Sequence, residues 1–509
     1  PLAYRVASDR TGHPLALEPE GRLGSLEMLA YNCLSWGYWG EAERSFAPPV
    51  SRYKWLEPRH LVNLCERWTR DHTNALQAAF FNGVGFESWE NVWGIWNGMT
   101  DRDGEALRRT AAIEREFAAL LVSSGWRPYA STVQRGVFAS RWPGDGTTLW
   151  TFVNRNPYDV SGVQLALSAA PGARYFDAYH GVELKPVLQS GRAELSFGIE
   201  ALGFGAVLET RGEGAELRGF LAGMARMVGR PLASYSREWK PLPQQLVAIA
   251  PTHPAASAPP GMVLIPAAAA FDFRVEGTEI EGENLEGTDV QYPWETAARR
   301  YHDHVLAIKA FWIDRTPVTN AQFERFLAAT NYRPADDHNF LRDWSDGACP
   351  PGWASKPVTW VSIEDARAYA RWAGKRLPHE WEWQYAAQGL DHRRYPWGNH
   401  WIDAAAPAAD GGTDLPPPAD VDAHPGGASP FGVLDLVGNV WQWTDEFTDE
   451  HTRAAVLRGG SHYRPGHSLW YFPQAKELDR HGKLLLMAPS IDRSGTVGFR
   501  CVQDWAPGP

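Results

Sequence analysis

The sequence predicts an α+β chain of several domains. Three observations carry this: its length, a change of hydrophobic period near Trp126, and a proline- and alanine-rich run at 251–260. At 509 residues the chain exceeds one ordinary domain and suggests roughly two to four. Its 44% hydrophobic and 21% charged fractions are those of packed globular domains. No apolar run approaches the ~20 residues that span a bilayer, so no membrane span is expected. A net charge of −11 without a basic cluster excludes nucleic acid and anionic membrane as expected partners. The chain opens Pro1-Leu2-Ala3 with no initiator Met, so upstream sequence is expected.

The elements follow in order. Residues 58–80 read as an amphipathic helix with Pro58 in its first turn, broken by Asn82-Gly83. V-G-F-E (84–87) reads as a short buried strand, and 102–124 as a second helix with Arg108, Arg109 and Glu114 on polar faces. That rhythm is the parallel α/β one. From Trp126 the runs 136–142, 148–155, 163–168 and 204–210 are short and separated by Gly, Pro and Asn, the spacing of an antiparallel β-sandwich. N-G-V-G-F-E-S-W-E-N-V-W-G-I-W-N (82–97) resembles the C-terminal end of a glycoside hydrolase barrel leading into a sandwich. A complete barrel needs about 200 residues, so only a remnant is expected here. A helical stretch (218–228) and an extended connector follow. The expected division is a barrel remnant (1–125), a β-sandwich (126–212), a linker (213–258) and a C-terminal domain (259–503).

In the C-terminal domain, Thr319 or Asn320 can cap a helix burying Phe323, Phe326 and Leu327. Ser362 with Glu364-Asp365 starts another, with Ala366, Tyr369 and Ala370 inward and Gly374 at its end. Pro378 begins a third, whose stripe is Trp381, Tyr385 and Ala386. Ordered motifs run through the same region: G-M-V-L-I-P (261–266), Y-P-W-G-N (395–399), F-G-V-L-D-L-V-G-N-V-W-Q-W (431–443), L-R-G-G-S (457–461) and G-F-R-C-V (498–502). Together they resemble the formylglycine-generating-enzyme, or sulfatase-modifying-factor, family. The resemblance implies a C-type-lectin-like fold with little regular secondary structure and an oxygen-dependent oxidase acting on a protein cysteine.

In that family a cysteine pair, five residues apart and shortly after R-G-G-S, holds copper, because soft sulfur selects Cu(I). The matching positions here are Arg464 and Leu469, and no cysteine occurs between Arg458 and Leu469. Copper is therefore not expected. The four cysteines (Cys33, Cys65, Cys349, Cys501) lie far apart with no C-x-x-C, which also argues against a disulfide framework or a structural zinc. Cys501 reads as a buried small hydrophobe.

The resemblance also implies a calcium site at Asp435, Gly438, Val440 and Gln442, with Gln442 where the family usually has Glu; the other reading is a turn held by hydrogen bonds alone. The candidate ligand cleft is His462, Tyr463, Arg464, His467, Trp470 and Arg493, with Tyr471 beside it, suited to a peptide or carbohydrate. The pairs His462/His467 and His302/His304 read as surface or hydrogen-bonded histidines, since a metal wants three placed ligands. Arg500 in G-F-R reads as a buried ion pair or carbonyl contact, and Arg493 carries the same reading beside its place in the cleft. Glu87 and Glu90 are the candidate catalytic carboxylates of the hydrolase reading, although alternation along a strand makes them diverge. The function expected is a family homologue without the oxidase cysteines, acting as a ligand- or carbohydrate-associated module. Two alternatives stand beside it: an oxidoreductase of the formylglycine-generating or nonheme-iron type, and a truncated glycoside hydrolase.

Overall fold

The structure is a computed structural model. It describes the chain except residues 1–5, 7, 11, 13–16, 18–25, 31, 39–44, 67–69, 89–98, 241–247, 279–289, 297–298, 409–414, 446–453, 465–473, 486–491 and 508–509. The chain forms two compact units, dividing after Lys240. No helix of the described residues is long and apolar enough to cross a membrane.

The first unit begins with three parallel strands, Leu34–Tyr38, Leu61–Glu66 and Gly85–Ser88, with the helix Thr73–Asn82 between the last two. The helix expected over 58–80 is thus corrected: its first half is a strand. Leu61 is exposed, Val62 buried, Asn63 half-buried and Leu64 buried, a period of two that the i, i+3 spacing of Leu61 and Leu64 disguises. The helix proper starts where the Thr73 N–H donates to Asp71 and the His72 N–H to Asp103. The second helix runs Asp101–Glu116, capped by the Thr100 hydroxyl accepting from the Asp103 N–H. Arg109 and Glu114 do not face water as expected. Arg109 is fully buried, donating to Glu105, Tyr179 and the Arg230 carbonyl. Burial raises the Glu114 carboxyl to about 8.

All four expected β runs are strands. Val137–Pro143, Thr147–Asn154 and Phe204–Thr210 lie in a six-stranded antiparallel sheet, and Val163–Ser168 lies in a separate three-stranded one. Trp150, Phe152 and Val207 of the larger sheet share a core with Leu165, Ala193 and Leu195 of the smaller. The larger sheet's other face, with Trp142, Leu149 and Phe204, packs on Leu76, Phe80 and Phe81 of the first helix. Coverage on both faces accounts for the unbroken buried run of 149–153, in which Thr151 is the one polar residue. The helix Ala215–Met227 buries Leu221 and Met224 in that second core.

The second unit holds a six-stranded mixed sheet, ordered Tyr301–Ile308, Ala268–Thr278, Arg480–Leu485, Ala454–Arg458, Trp441–Trp443 and Val497–Gly498. A three-stranded antiparallel sheet (Met262–Ile265, Phe311–Asp314, Val502–Asp504) accompanies it. The helices Asn320–Thr330 and Ile363–Trp372 start in capping boxes at Thr319 and Ser362. In the helix Glu380–Gln388 it is Trp383, more than Trp381, that fills the core, beside Tyr385 and Ala386. The connector is extended and pinned to the last strand. The Thr252 N–H donates to the Asp504 carboxylate at 2.7 Å, and the Ala255 N–H to the Asp504 carbonyl at 2.9 Å.

Candidate functional site

The motif segments meet where Trp441–Trp443 pairs with Ala454–Arg458, in the register Gln442 to Arg458. The chain enters through a tight turn. Asp435 and Gly438 have φ of 51° and 82°, and the Gly438 N–H donates to the Gly459 carbonyl at 2.9 Å. Gly459, at φ 89°, has no room for a side chain: a Cβ there would collide with the Leu436 carbonyl oxygen.

Beneath the turn lie two buried polar networks. In the first, Arg458 donates to Glu380 (2.7 Å) and the Leu478 carbonyl (2.6 Å), its guanidinium 4.9 Å from the Trp383 ring centre. Glu380 also contacts His481 Nδ1 at 2.7 Å and accepts from the Tyr292 hydroxyl. In the second, Arg500 donates to the Leu434 (2.7 Å) and Asp435 (2.9 Å) carbonyls and to Gln442 Oε1 (2.6 Å). That carbonyl contact was expected. Burial lowers the Arg500 pKa to about 10.

Gln442 therefore does not fit a calcium site. Its Oε1 already accepts from Trp383 and Arg500, while its Nε2 donates to the Asp435 and Leu436 carbonyls. The carboxylate of Asp435 accepts from the Asp422 N–H at 2.8 Å, and burial raises its pKa. Gly438 turns the chain and Val440 is fully buried. The buried Arg500 guanidinium already takes two oxygens of that set, Gln442 Oε1 and the Asp435 carbonyl.

The expected cleft divides. His462 is buried, with its two ring nitrogens 2.7 and 2.8 Å from the Asn439 and Pro416 carbonyls, so it does not line an open cleft. Arg493 is equally committed, to Asp365 and the Asp336 and His338 carbonyls. Both corrections have one cause: these side chains satisfy backbone carbonyls that water cannot reach. His467, Trp470, Tyr471 and Leu469 lie outside the described residues, as do Glu90 and the side chain of Glu87. His302 is buried 2.9 Å from Glu295, and His304 stacks on Trp294.

Tyr463 is half-buried and Arg464 exposed. Gln474 staples their loop, accepting from the Ser461 N–H and donating to the Tyr463 carbonyl, both at 3.0 Å. Lys476 follows, its ammonium 5.2 Å from the Trp401 ring centre, and burial, then the Arg464 charge, lowers its pKa. Trp401 joins a ring cluster with Tyr395 and Trp397. Lys476 and Trp401 escaped the sequence reading, although Trp401 stands two residues after Y-P-W-G-N. The copper donor set does not fit either. Arg464 replaces a thiol, and Cys501 is fully buried with its thiol pKa pushed up by burial.

A sulfatase-modifying factor enzyme 1-like domain matches residues 250–505. The chain belongs to that family. It is 32% identical over 280 residues to the formylglycine-generating enzyme of Mycobacterium tuberculosis, covering 40% of this chain and 90% of the relative. It is 38% identical over 178 residues to the hercynine oxygenase of Mycolicibacterium thermoresistibile, covering 28% of this chain and 36% of that protein. It is 33% identical over 204 residues to the inactive Cα-formylglycine-generating enzyme 2 of Bos taurus, covering 31% and 66%. The family is thus the one the motifs resemble.

Proposed function

We propose that the family domain of this chain is a ligand-binding module, for a carbohydrate or peptide, that does not run copper-dependent cysteine oxidation. One observation carries this reading: no cysteine lies between Arg458 and Leu469, and the position matching the first thiol is an exposed arginine. A guanidinium cannot ligate Cu(I), and it repels any cation beside it. Kinship with a relative described as inactive supports the same reading. For the first unit we propose a hydrolase-type barrel remnant joined to a β-sandwich. Its support is three parallel strands with a crossover helix, and two antiparallel sheets over a shared core.

The test is oxygen uptake by the full chain with a cysteine-containing peptide and reconstituted copper. No copper-dependent uptake is expected; turnover that Cys501→Ser abolishes overturns the reading. The oxidoreductase alternative draws on the hercynine oxygenase match, yet its histidine candidate His462 is spent on two carbonyls. The hydrolase alternative predicts aryl-glycoside turnover that Glu87→Gln or Glu90→Gln removes.

A further inference from the structure

We infer that the strand Tyr301–Ile308 is an interface at which two copies of this chain pair edge to edge, an association separate from any ligand the domain binds. The strand stands at one end of the six-stranded sheet and pairs only with Ala268–Thr278 among the described residues. At eight residues it is longer than any other outermost strand of the described sheets. The Gly277 N–H donates to the Arg300 carbonyl at 3.0 Å, and the register continues with Val275 opposite His302 and Phe273 opposite His304. Antiparallel pairing therefore turns the backbone of His302 and His304 toward the sheet and that of Tyr301, Asp303 and Val305 outward. A row of outward N–H and C=O groups is a template for another strand. The usual guards are missing: the strand contains no proline and no lysine, and its one slip in register falls at the far end, opposite Ala268–Phe271.

The solvent-facing side chains say what the edge fits. Tyr301 is 54% and Val305 59% exposed, and Asp303 and Lys309 are exposed beside them. Asp303 has only a 3.5 Å surface contact with Arg274, and Lys309 has no ion pair among the described residues. In an antiparallel pairing with its two-fold axis at Val305, the two Val305 side chains meet. Tyr301 then faces Lys309 of the second copy, and Asp303 lies diagonally from that lysine. An axis at Asp303 would instead set two carboxylates against each other. The edge is thus complementary to itself in polarity and charge, and one closed pair uses up both free edges. A single strand pair buries less than the roughly 1,200 Å² of a stable complex, so the dimer is reversible and weak.

Sedimentation equilibrium of the full chain, from about 1 μM to about 500 μM to bracket a weak interface, tests this. A monomer–dimer equilibrium is expected. Val305→Pro removes an outward N–H from each copy and leaves the ladder to Ala268–Thr278 whole, so it should weaken the dimer about tenfold or more. Val305→Lys sets two ammonium groups at the axis and should do the same without touching the backbone. Lys309→Glu should also weaken it, and adding Asp303→Lys to that variant should restore it. Melting temperatures of the dilute variants equal to the parent's would show the strand itself intact. A chain that stays monomeric, leaving its edge to an extended peptide or to nothing, would overturn the inference. So would a dimer indifferent to both Val305 variants, a charge swap that restores nothing, or assemblies that grow past two copies.

Discussion

Glu380→Gln is the sharpest probe of what holds the motif turn. Glu380 is fully buried and is the only carboxylate paired with Arg458 among the described residues, where Arg458 Nε already lacks an acceptor. Burial alone would raise its pKa, yet His481, Arg458 and Tyr292 bring it down to about 2. Removing the charge leaves a buried guanidinium uncompensated, which costs about 3–5 kcal/mol. For a unit this size that is a drop of roughly 10 °C in melting temperature. The pH dependence has a definite sign. A carboxyl depressed from 4.5 to about 2 gives stability that is complete above pH 4.5 and is lost as pH falls toward 2. At about 1.4 kcal/mol per unit the whole effect is about 3 kcal/mol. Thermal melts by near-ultraviolet dichroism, sensitive to Trp383 against Arg458, would follow both chains from pH 7 to pH 2. The gap between them should be full at pH 7 and narrow below pH 4.5. A variant within about 1 kcal/mol of the parent at pH 7, or a gap independent of pH, would refute the reasoning.

Three further outcomes are expected. Gly459→Ala, at φ 89° with the Leu436 carbonyl in the way, should destabilise the second unit by about 2–4 kcal/mol in urea melts; a neutral change would mean the turn is not as tight as described. In the native chain iodoacetamide should label exposed Cys33 and leave Cys501 unmodified until denaturant is added, as mass spectrometry would report. Rapid native labelling of Cys501 would contradict its burial. Millimolar calcium or EDTA should move the melting temperature by less than about 1 °C, because Trp383 and Arg500 already take the Gln442 oxygen; a large rise with calcium would show that oxygen to be free.

The elements visible in the sequence were those whose signals are local. Thr319 and Ser362 cap helices as their own side chains dictate, and the four β runs after Trp126 stand where Gly, Pro and Asn bound them. The strand Leu61–Glu66 was not visible, because two leucines three apart satisfy a helix as well as a strand, and only a parallel neighbour decides. Arg109 was misplaced for a related reason. A helix face reads as polar until Tyr179 and the Arg230 carbonyl, some 70 and 121 residues on, close over it. The surroundings of the motif loop were half visible. Arg464 followed from its count after R-G-G-S, whereas Lys476 and Trp401 are joined to it only by folding.

The motif residues explain how the family can be plain while its chemistry is not. Arg458, Gln442, Trp383 and Arg500 are all buried, and each satisfies a carbonyl, a carboxylate or another member of the set. Changing one leaves a buried charge or polar group without its partner, so these positions are tied to the fold whatever the domain does. Position 464 is exposed and touches none of those networks, so a thiol and a guanidinium serve the fold equally well there. Its neighbour Gln474 holds the loop through backbone groups of Ser461 and Tyr463, which are indifferent to the side chain that follows. The strength of the motif match therefore measures the scaffold. Position 464, an exposed side chain outside both buried networks, is free to differ while the scaffold stays the same.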